Sequence, residues 1–246
     1  DHAGGDGEVD VLADGEVEDH QVTIVEPVDY PTVTSVEFNV GLVDPPDATT
    51  TWGTQRSEIR NIRVTFSEGM AAIEADHLTL TNLGVNAPND PDTTITLADG
   101  QLQQSGNTLT ITFPPTPDVG KFLNDGVYEL EIAGWVTDLY GNPLDGNRDG
   151  TGGDPYVLTG NADNHFFVLL GDFDGSGAVP IADFGLFRRW LFETAQPEGP
   201  APEYFDINYS GAVSIADFAL FRGNLFTGVT YPPSGSSGVS AASDGS

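Results

Sequence analysis

One stretch of this chain is written twice. Residues 172–192 realign 34 positions later with residues 206–226, and 14 of the 21 paired positions are identical. Each copy carries oxygen-bearing side chains at loop positions 1, 3, 5 and 12. These are Asp172, Asp174, Ser176 and Asp183 in the first copy and Asp206, Asn208, Ser210 and Asp217 in the second. Gly177 and Gly211 hold position 6, where the chain must turn sharply. Ala178 and Ala212 hold position 7, where a backbone carbonyl serves as ligand. Hard oxygens in this number and spacing suit Ca²⁺, whereas Mg²⁺ takes fewer ligands in stricter geometry. Asx turns leading into helix N-caps would use the same residue types, but two copies in register weigh against that reading.

A third segment repeats part of the pattern. Asp145, Asn147 and Asp149 keep the 1-3-5 spacing, with Gly150 at position 6 and the Thr151 carbonyl at 7. Position 12 is Tyr156, so a closing carboxylate has to come from elsewhere, with Asp154 and Asp138 nearest in sequence. A glycine-rich β turn accounts for this segment equally well. The expectation is therefore two calcium sites, with 145–154 as the candidate for a third. The second loop, with two carboxylates against three, is expected to bind more weakly.

The remaining composition fits such ions, and fits simple solubility in salty surroundings equally well. Lys and Arg total 8 against 38 Asp and Glu, a formal charge of −30. A chain so charged repels nucleic acid and anionic membranes, and its carboxylate clusters are tolerable once a divalent ion neutralises them. There is no cysteine, which excludes disulfides, thiolate metal sites and cysteine nucleophiles. No apolar run approaches the roughly 20 residues of a membrane span, and Asp1 opens in polar sequence without a signal peptide. These features point to an extracellular or cell-surface bacterial protein and to a C-terminal piece of a longer chain.

Periodicity divides the sequence. Residues 1–29 are Gly/Asp/Glu-rich, with one alternating, strand-like stretch over 15–26. Residues 30–170 contain seven short β runs: 32–40, 58–66, 77–83, 93–97, 108–113, 127–132 and 165–170. Pro, Gly, Asn and Asp punctuate the gaps, which argues for an antiparallel sandwich. The insert 67–76 has the composition of a single helical turn. Residues 171–228 change period, with helices expected over 181–193 and 215–226. The segment Pro197–Pro202 joins them as a stiff connector. Residues 229–246 read as a flexible tail.

Three segments also resemble known families. Gly15-Glu-Val-Glu-Asp19 and the residues after it resemble the closing strand of the bacterial modules named for that sequence. This implies that an upstream module is truncated here, or that the strand adds to a sheet edge of this or another subunit. The words Gln55–Glu68, Thr108–Phe113 and Val136–Leu144 resemble bacterial Ig-like domains of the S-layer-associated type. That resemblance implies a non-catalytic β-sandwich. The duplicated loop–helix unit, with Asp at position 12, resembles a dockerin, a small calcium-folded helical domain that docks onto cohesins. Departures lie at position 5, where Ser replaces the commoner Asp, at Pro180 in position 9, and at positions 10 and 11, which are Ile-Ala in both copies. Those last positions often carry recognition polars in dockerins, so a cohesin-like partner stays open. The repeated apolar residues Phe184/Phe218, Leu186/Leu220, Phe187/Phe221, Leu191/Leu225 and Phe192/Phe226 exceed what so small a core needs. Some are expected to pack against the sandwich or to form a partner surface.

No catalytic set emerges. His2, His20, His77 and His165 lack metal-ligand spacing, and no nucleophile elbow, P-loop or dinucleotide fingerprint is present. Trp52, Trp135 and Trp190 form no stripe and are expected to pack rather than bind sugar. The chain therefore reads as mainly β: an Ig-like sandwich plus a small dockerin-like helical domain. Its expected role is that of a non-catalytic, calcium-stabilised surface or matrix protein that self-assembles or docks to a protein partner. The alternative is an accessory C-terminal module of a secreted polysaccharide- or protein-degrading enzyme.

Overall fold

The structure is a computed structural model that describes residues 29–44, 49–115 and 122–233. The strand expected over 15–26 lies outside the described residues, as does most of the expected tail. Alternation of apolar residues builds two antiparallel sheets. In the first, β1 (Val33–Phe38), β2 (Asn61–Phe66), β6 (Thr108–Thr112) and β5 (Leu102–Ser105) lie in the order β1-β2-β6-β5. The second runs β4 (Thr93–Ile95), β3 (Leu78–Asn82), β7 (Gly126–Ile132) and β8 (Tyr156–Thr159), with the two-residue β9 (Phe167–Val168) also pairing with β7. Every second residue faces inward, as a pleated strand requires. Ile62, Val64 and Phe66 of one sheet thereby meet Leu80, Tyr128, Leu130 and Ile132 of the other in a dry core.

All seven expected strands are present, most of them shorter than their sequence runs. β5 and β8 are additional. β5 carries two glutamines on a sheet edge and only one apolar residue, Leu102, and the two-residue turn at Gly106-Asn107 pairs it with β6. β8 follows directly on the glycine-rich 150–155 loop, which masks its start. The helical turn expected over 67–76 is mostly extended. Met70 bridges to Asp138, the Ala71 amide donates to the Thr137 carbonyl, and only Ala75–His77 forms a 3₁₀ turn.

β7 explains how the C-terminal repeats attach. Tyr128 points into the sandwich while Val127, one residue earlier, points out of the opposite face; Phe166 and Phe167 divide in the same way. Val127, Phe167, Leu169, Leu83 and Trp52 therefore offer an outer apolar surface. It is covered by Phe173, Val179, Phe187, Trp190, Tyr204, Phe205, Val213 and Phe221. Within this second core Phe187 stacks on Phe221 with ring centroids 5.5 Å apart, and Phe173 lies 4.4 Å from Phe205. The two helices, α1 (Ile181–Trp190) and α2 (Ile215–Gly223), bury one side in it. Both end earlier than the apolar periodicity: Leu191 leaves α1 in extended conformation and Asn224 caps α2, with Phe192 and Phe226 at φ +75° and +67° beyond them.

The repeats are closed by an exchange. The chain after α1 pairs with the second loop: the Phe192 amide donates to the Val213 carbonyl (2.7 Å) and the Val213 amide to Glu193 (2.9 Å). The chain after α2 pairs with the first loop, through Phe226 to Val179 (2.8 Å) and Val179 to Thr227 (2.9 Å). The same path continues past residue 228. Val229 donates to the Gly177 carbonyl, and Thr230 exchanges bonds with Val85 and Ala87. Residues 229–231 are thus held against both the first loop and the sandwich, where composition alone suggests a loose tail.

Because the second core is built from both parts, the described chain should unfold as one unit. Phe205→Ala should cost about 3–5 kcal/mol. Urea transitions followed by tryptophan fluorescence and by far-UV circular dichroism should coincide.

Candidate metal centre

Asx-type hydrogen bonds shape the first loop before any ion is considered. The Asp172 carboxylate accepts from the Ser176 amide through Oδ1 (3.0 Å) and from the Gly177 amide through Oδ2 (2.8 Å). Asp174 Oδ1 also accepts from Ser176 (3.0 Å). The turn needs left-handed backbone at Gly175 (φ +75°) and Gly177 (φ +82°). Position 12 is delivered by the first turn of α1, where Asp183 Oδ1 accepts from the Phe173 amide (2.8 Å). One carboxylate oxygen each from Asp172, Asp174 and Asp183 come within 4.8 Å of one another. The Ser176 hydroxyl lies 3.3 Å from the Ala178 carbonyl oxygen and 3.5 Å from Asp172 Oδ1.

Electrostatics in this loop are unusual. Asp172 and Asp183 are both fully buried. Burial, with the neighbouring carboxylates adding repulsion, pushes each of them up to about 7. Asp183 Oδ2 is buried without any hydrogen-bond partner. A buried carboxylate oxygen left in this way is costly unless a cation or donor completes it.

The second loop has the same skeleton. Asp206 accepts from Ser210 (3.0 Å) and Gly211 (2.6 Å), Asn208 accepts from Ser210 (3.0 Å), and Asp217 Oδ1 accepts from the Asn208 amide (2.9 Å). It differs at position 9. Ser214 gives Asp217 Oδ2 two donors, its amide at 2.8 Å and its hydroxyl at 2.7 Å, in a helix capping box. The first loop has Pro180 there, with neither an N–H nor a hydroxyl, which is why Asp183 Oδ2 is left bare.

The third candidate shares the turn but not the convergence. Asp145 is buried and accepts from Asp149 (3.1 Å) and Gly150 (2.8 Å), Asn147 accepts from Asp149 (2.9 Å), and Asp149 accepts from Thr151 (2.8 Å). Asp154 makes a backbone bridge to Asp145. Asp145, Asp149 and Asp154 nevertheless form no group of three ligand atoms among the described residues. Tyr156 stands at position 12. Asp138 is buried, its oxygens accept from Tyr140 and Asn142 of its own turn at 2.8 Å, and it joins no group of three ligand atoms among the described residues.

One segment of the sandwich, residues 54–60, touches both loops. The Arg56 amide donates to the Asp172 carbonyl (2.9 Å). The buried Arg56 side chain is held by the carbonyls of His165, Gly53 and Gln55. Burial lowers its guanidinium to about 10, although Asp172 nearby acts in the opposite direction. Farther along, Glu58 meets Tyr209 of the second repeat, and Arg60 meets Glu203 just before it. Sequence reasoning missed this contact. The available signal was Tyr209 at loop position 4, where the first copy has Gly175.

The histidines and tryptophans within the described residues differ in setting: His165 Nδ1 is buried without a hydrogen-bond partner, and Trp135 is 61% exposed. His77 packs edge-on to the exposed Trp135 at 4.4 Å and accepts the Glu74 amide, in a surface group with Asp76. Trp52 and Trp190 are buried in the second core. No helix among the described residues is long and apolar enough to cross a membrane.

Comparison with known proteins agrees with the sandwich. The sequence family described as bacterial Ig-like domain matches residues 19–151, just over half of the chain. The chain belongs to that family. The match begins upstream of the expected domain start at residue 30 and ends before β8. No curated protein matches. A solved structure similar to this chain is an N-terminal interface mutant of a type II cohesin–X-dockerin complex from Acetivibrio cellulolyticus. It is 12% identical, covers 82% of this chain and 98% of its own, and its TM-score is 0.23, too low to support a shared fold.

The position-9 difference gives a test that needs no ion. In EDTA, Ser214→Ala should lower stability by about 0.5–2 kcal/mol. Pro180→Ser, which supplies the donors Asp183 lacks, should raise it by about 1 kcal/mol. Thermal melting reads both.

Proposed function

We propose that the chain is a non-catalytic, calcium-stabilised extracellular module. In this reading a bacterial Ig-like sandwich carries a dockerin-like loop–helix pair on its outer face. The observation that carries the calcium reading is Asp183 Oδ2, a buried carboxylate oxygen without a partner, beside Asp172 and Asp174. The donor set fits the ion: carboxylates, a hydroxyl and a main-chain carbonyl are all hard oxygens. In the first loop Asp172, Asp174, Ser176, the Ala178 carbonyl and Asp183 would hold Ca²⁺. In the second the ligands would be Asp206, Asn208, Ser210, the Ala212 carbonyl and Asp217. A bound ion neutralises clustered carboxylates and ties each loop to the first turn of its helix. The second loop is the weaker site, since it has one carboxylate fewer and Ser214 already bonds Asp217.

An interaction role is supported by what the repeats leave uncovered. Ile181 and Ile215, at position 10 of the two loops, are 65% and 58% exposed, and Phe192 and Phe226 are 74% and 80% exposed. Both copies present the same apolar residues, as a protein-binding face would. Self-assembly and docking to a different protein both remain within this reading.

EDTA-stripped protein titrated with Ca²⁺ tests the ion directly. Two ions should bind per chain and melting should rise, each site adding about 2.7 kcal/mol at a hundredfold excess over its Kd. Asp183→Ala should remove the tighter site and Asp217→Ala the weaker. Unchanged melting with calcium would reject the reading, and a stoichiometry of three would return the 145–154 loop to the ligand set.

A further inference from the structure

We propose that Tyr209 and Glu58 form a positioning pair through which the sandwich holds the second loop in its ion-accepting shape; this rests on the calcium reading above. Tyr209 lies between two residues of the ligand set, Asn208 and Ser210, at φ +55°, a left-handed conformation that a bulky side chain rarely adopts. The backbone at this residue decides where its neighbours sit. Ser210 donates its amide to both Asp206 and Asn208, and the Asn208 amide donates to Asp217. Something must keep Tyr209 in that conformation, and the structure supplies an anchor outside the loop.

The Tyr209 hydroxyl donates to Glu58 Oε2. Glu58 is buried, and its other oxygen accepts from Arg60 Nε (3.1 Å) and a terminal Arg60 nitrogen (2.9 Å). Arg60 is fixed in turn. Its guanidinium lies 4.4 Å from the Trp52 ring, 4.7 Å from Phe122 and 5.5 Å from Tyr209, and it pairs with Glu203 just before the loop. Phe122 also meets Tyr209 edge-on at 5.7 Å. Glu58 is thus a preset acceptor on a rigid sheet, and Tyr209 is the side chain that reaches it.

The first repeat shows that this arrangement is specific to the second. Its position 4 is Gly175, where a Cβ would collide with the Thr54 carbonyl. Both loops turn position 4 towards residues 54–60. The first is seated by backbone contact, with left-handed geometry that glycine adopts freely. The second is seated by a hydrogen bond and an aromatic–guanidinium stack. The weaker ligand set is the one given the side-chain anchor.

The experiment is calorimetric titration of Ca²⁺ into EDTA-stripped full chain for wild type, Tyr209→Phe, Glu58→Gln and the double variant, with Asp217→Ala identifying the second-loop event. Tyr209→Phe keeps the ring contacts and removes only the hydroxyl. It should weaken the second-loop site about 5–10-fold while the first-loop site stays within about twofold. Glu58→Gln should weaken the same site, and the double variant should bind no worse than Glu58→Gln alone, since the Tyr209 hydroxyl acts only through Glu58. A merely structural contact would instead lower melting in EDTA and leave both affinities unchanged, and that result would overturn the proposal. Additive losses in the double variant would overturn it too. Absence of calcium binding by wild type would remove the underlying calcium reading, a failure distinct from normal binding by the variants.

Discussion

Asp183 stands where two demands conflict. Helix α1 and the turn at Asp172 bring its carboxylate into a fully buried position beside Asp172 and Asp174. Nothing nearby donates to Oδ2, because the residue that would cap the helix is Pro180. Three carboxylates at close range repel, and burial makes the repulsion stronger than it would be in water. In the proposed reading, positive charge entering the loop offsets that repulsion. The duplicated unit is the local solution: short side-chain oxygens, a left-handed glycine at the turn and a helix start that carries position 12.

What happens at that carboxylate reaches the rest of the chain because the loops have no independent core. Phe173 follows Asp172 directly and sits among Phe187, Phe205 and Phe221. Those rings rest on Val127 and Phe167 of the sandwich. The crossed pairing, in which the chain after each helix closes the loop of the other repeat, makes the two sites one assembly. Residues 54–60 then fasten it from outside, by backbone at the first loop and by Glu58 and Arg60 at the second. Loop closure, helix docking and sheet packing are therefore parts of one cooperative structure.

Much of this was legible in the sequence, for definite reasons. The alternation Ile62-Val64-Phe66 and Leu130-Ile132 marks strands with one buried face, and the repeated Asp-x-Asp/Asn-x-Ser-Gly marks the loops. Signals carried by polar residues on edges were lost, as with Gln103 and Gln104 of β5. Long-range polar contacts were also invisible: no local pattern says that Tyr209 will meet Glu58, since the two are brought together only when the repeats dock on the outer face of β7. The consequence of Pro180 against Ser214 could be seen as a difference between copies, but its meaning depends on where the position-12 carboxylate points. Residues 229–231 looked like linker because their partners, Gly177 and residues 85–87, are contributed by distant segments.

In the proposed reading, Asp172, Asp174 and Asp183 together hold a divalent cation. Crystals of the full chain grown with calcium, and anomalous diffraction collected near the absorption edge of terbium after exchange, address it without reference to stability. An anomalous peak is expected among these three side chains, with oxygen ligands at about 2.3–2.6 Å that include Asp183 Oδ2 and the Ala178 carbonyl. A map showing no peak there, with Asp183 protonated or bonded only to water, would contradict it.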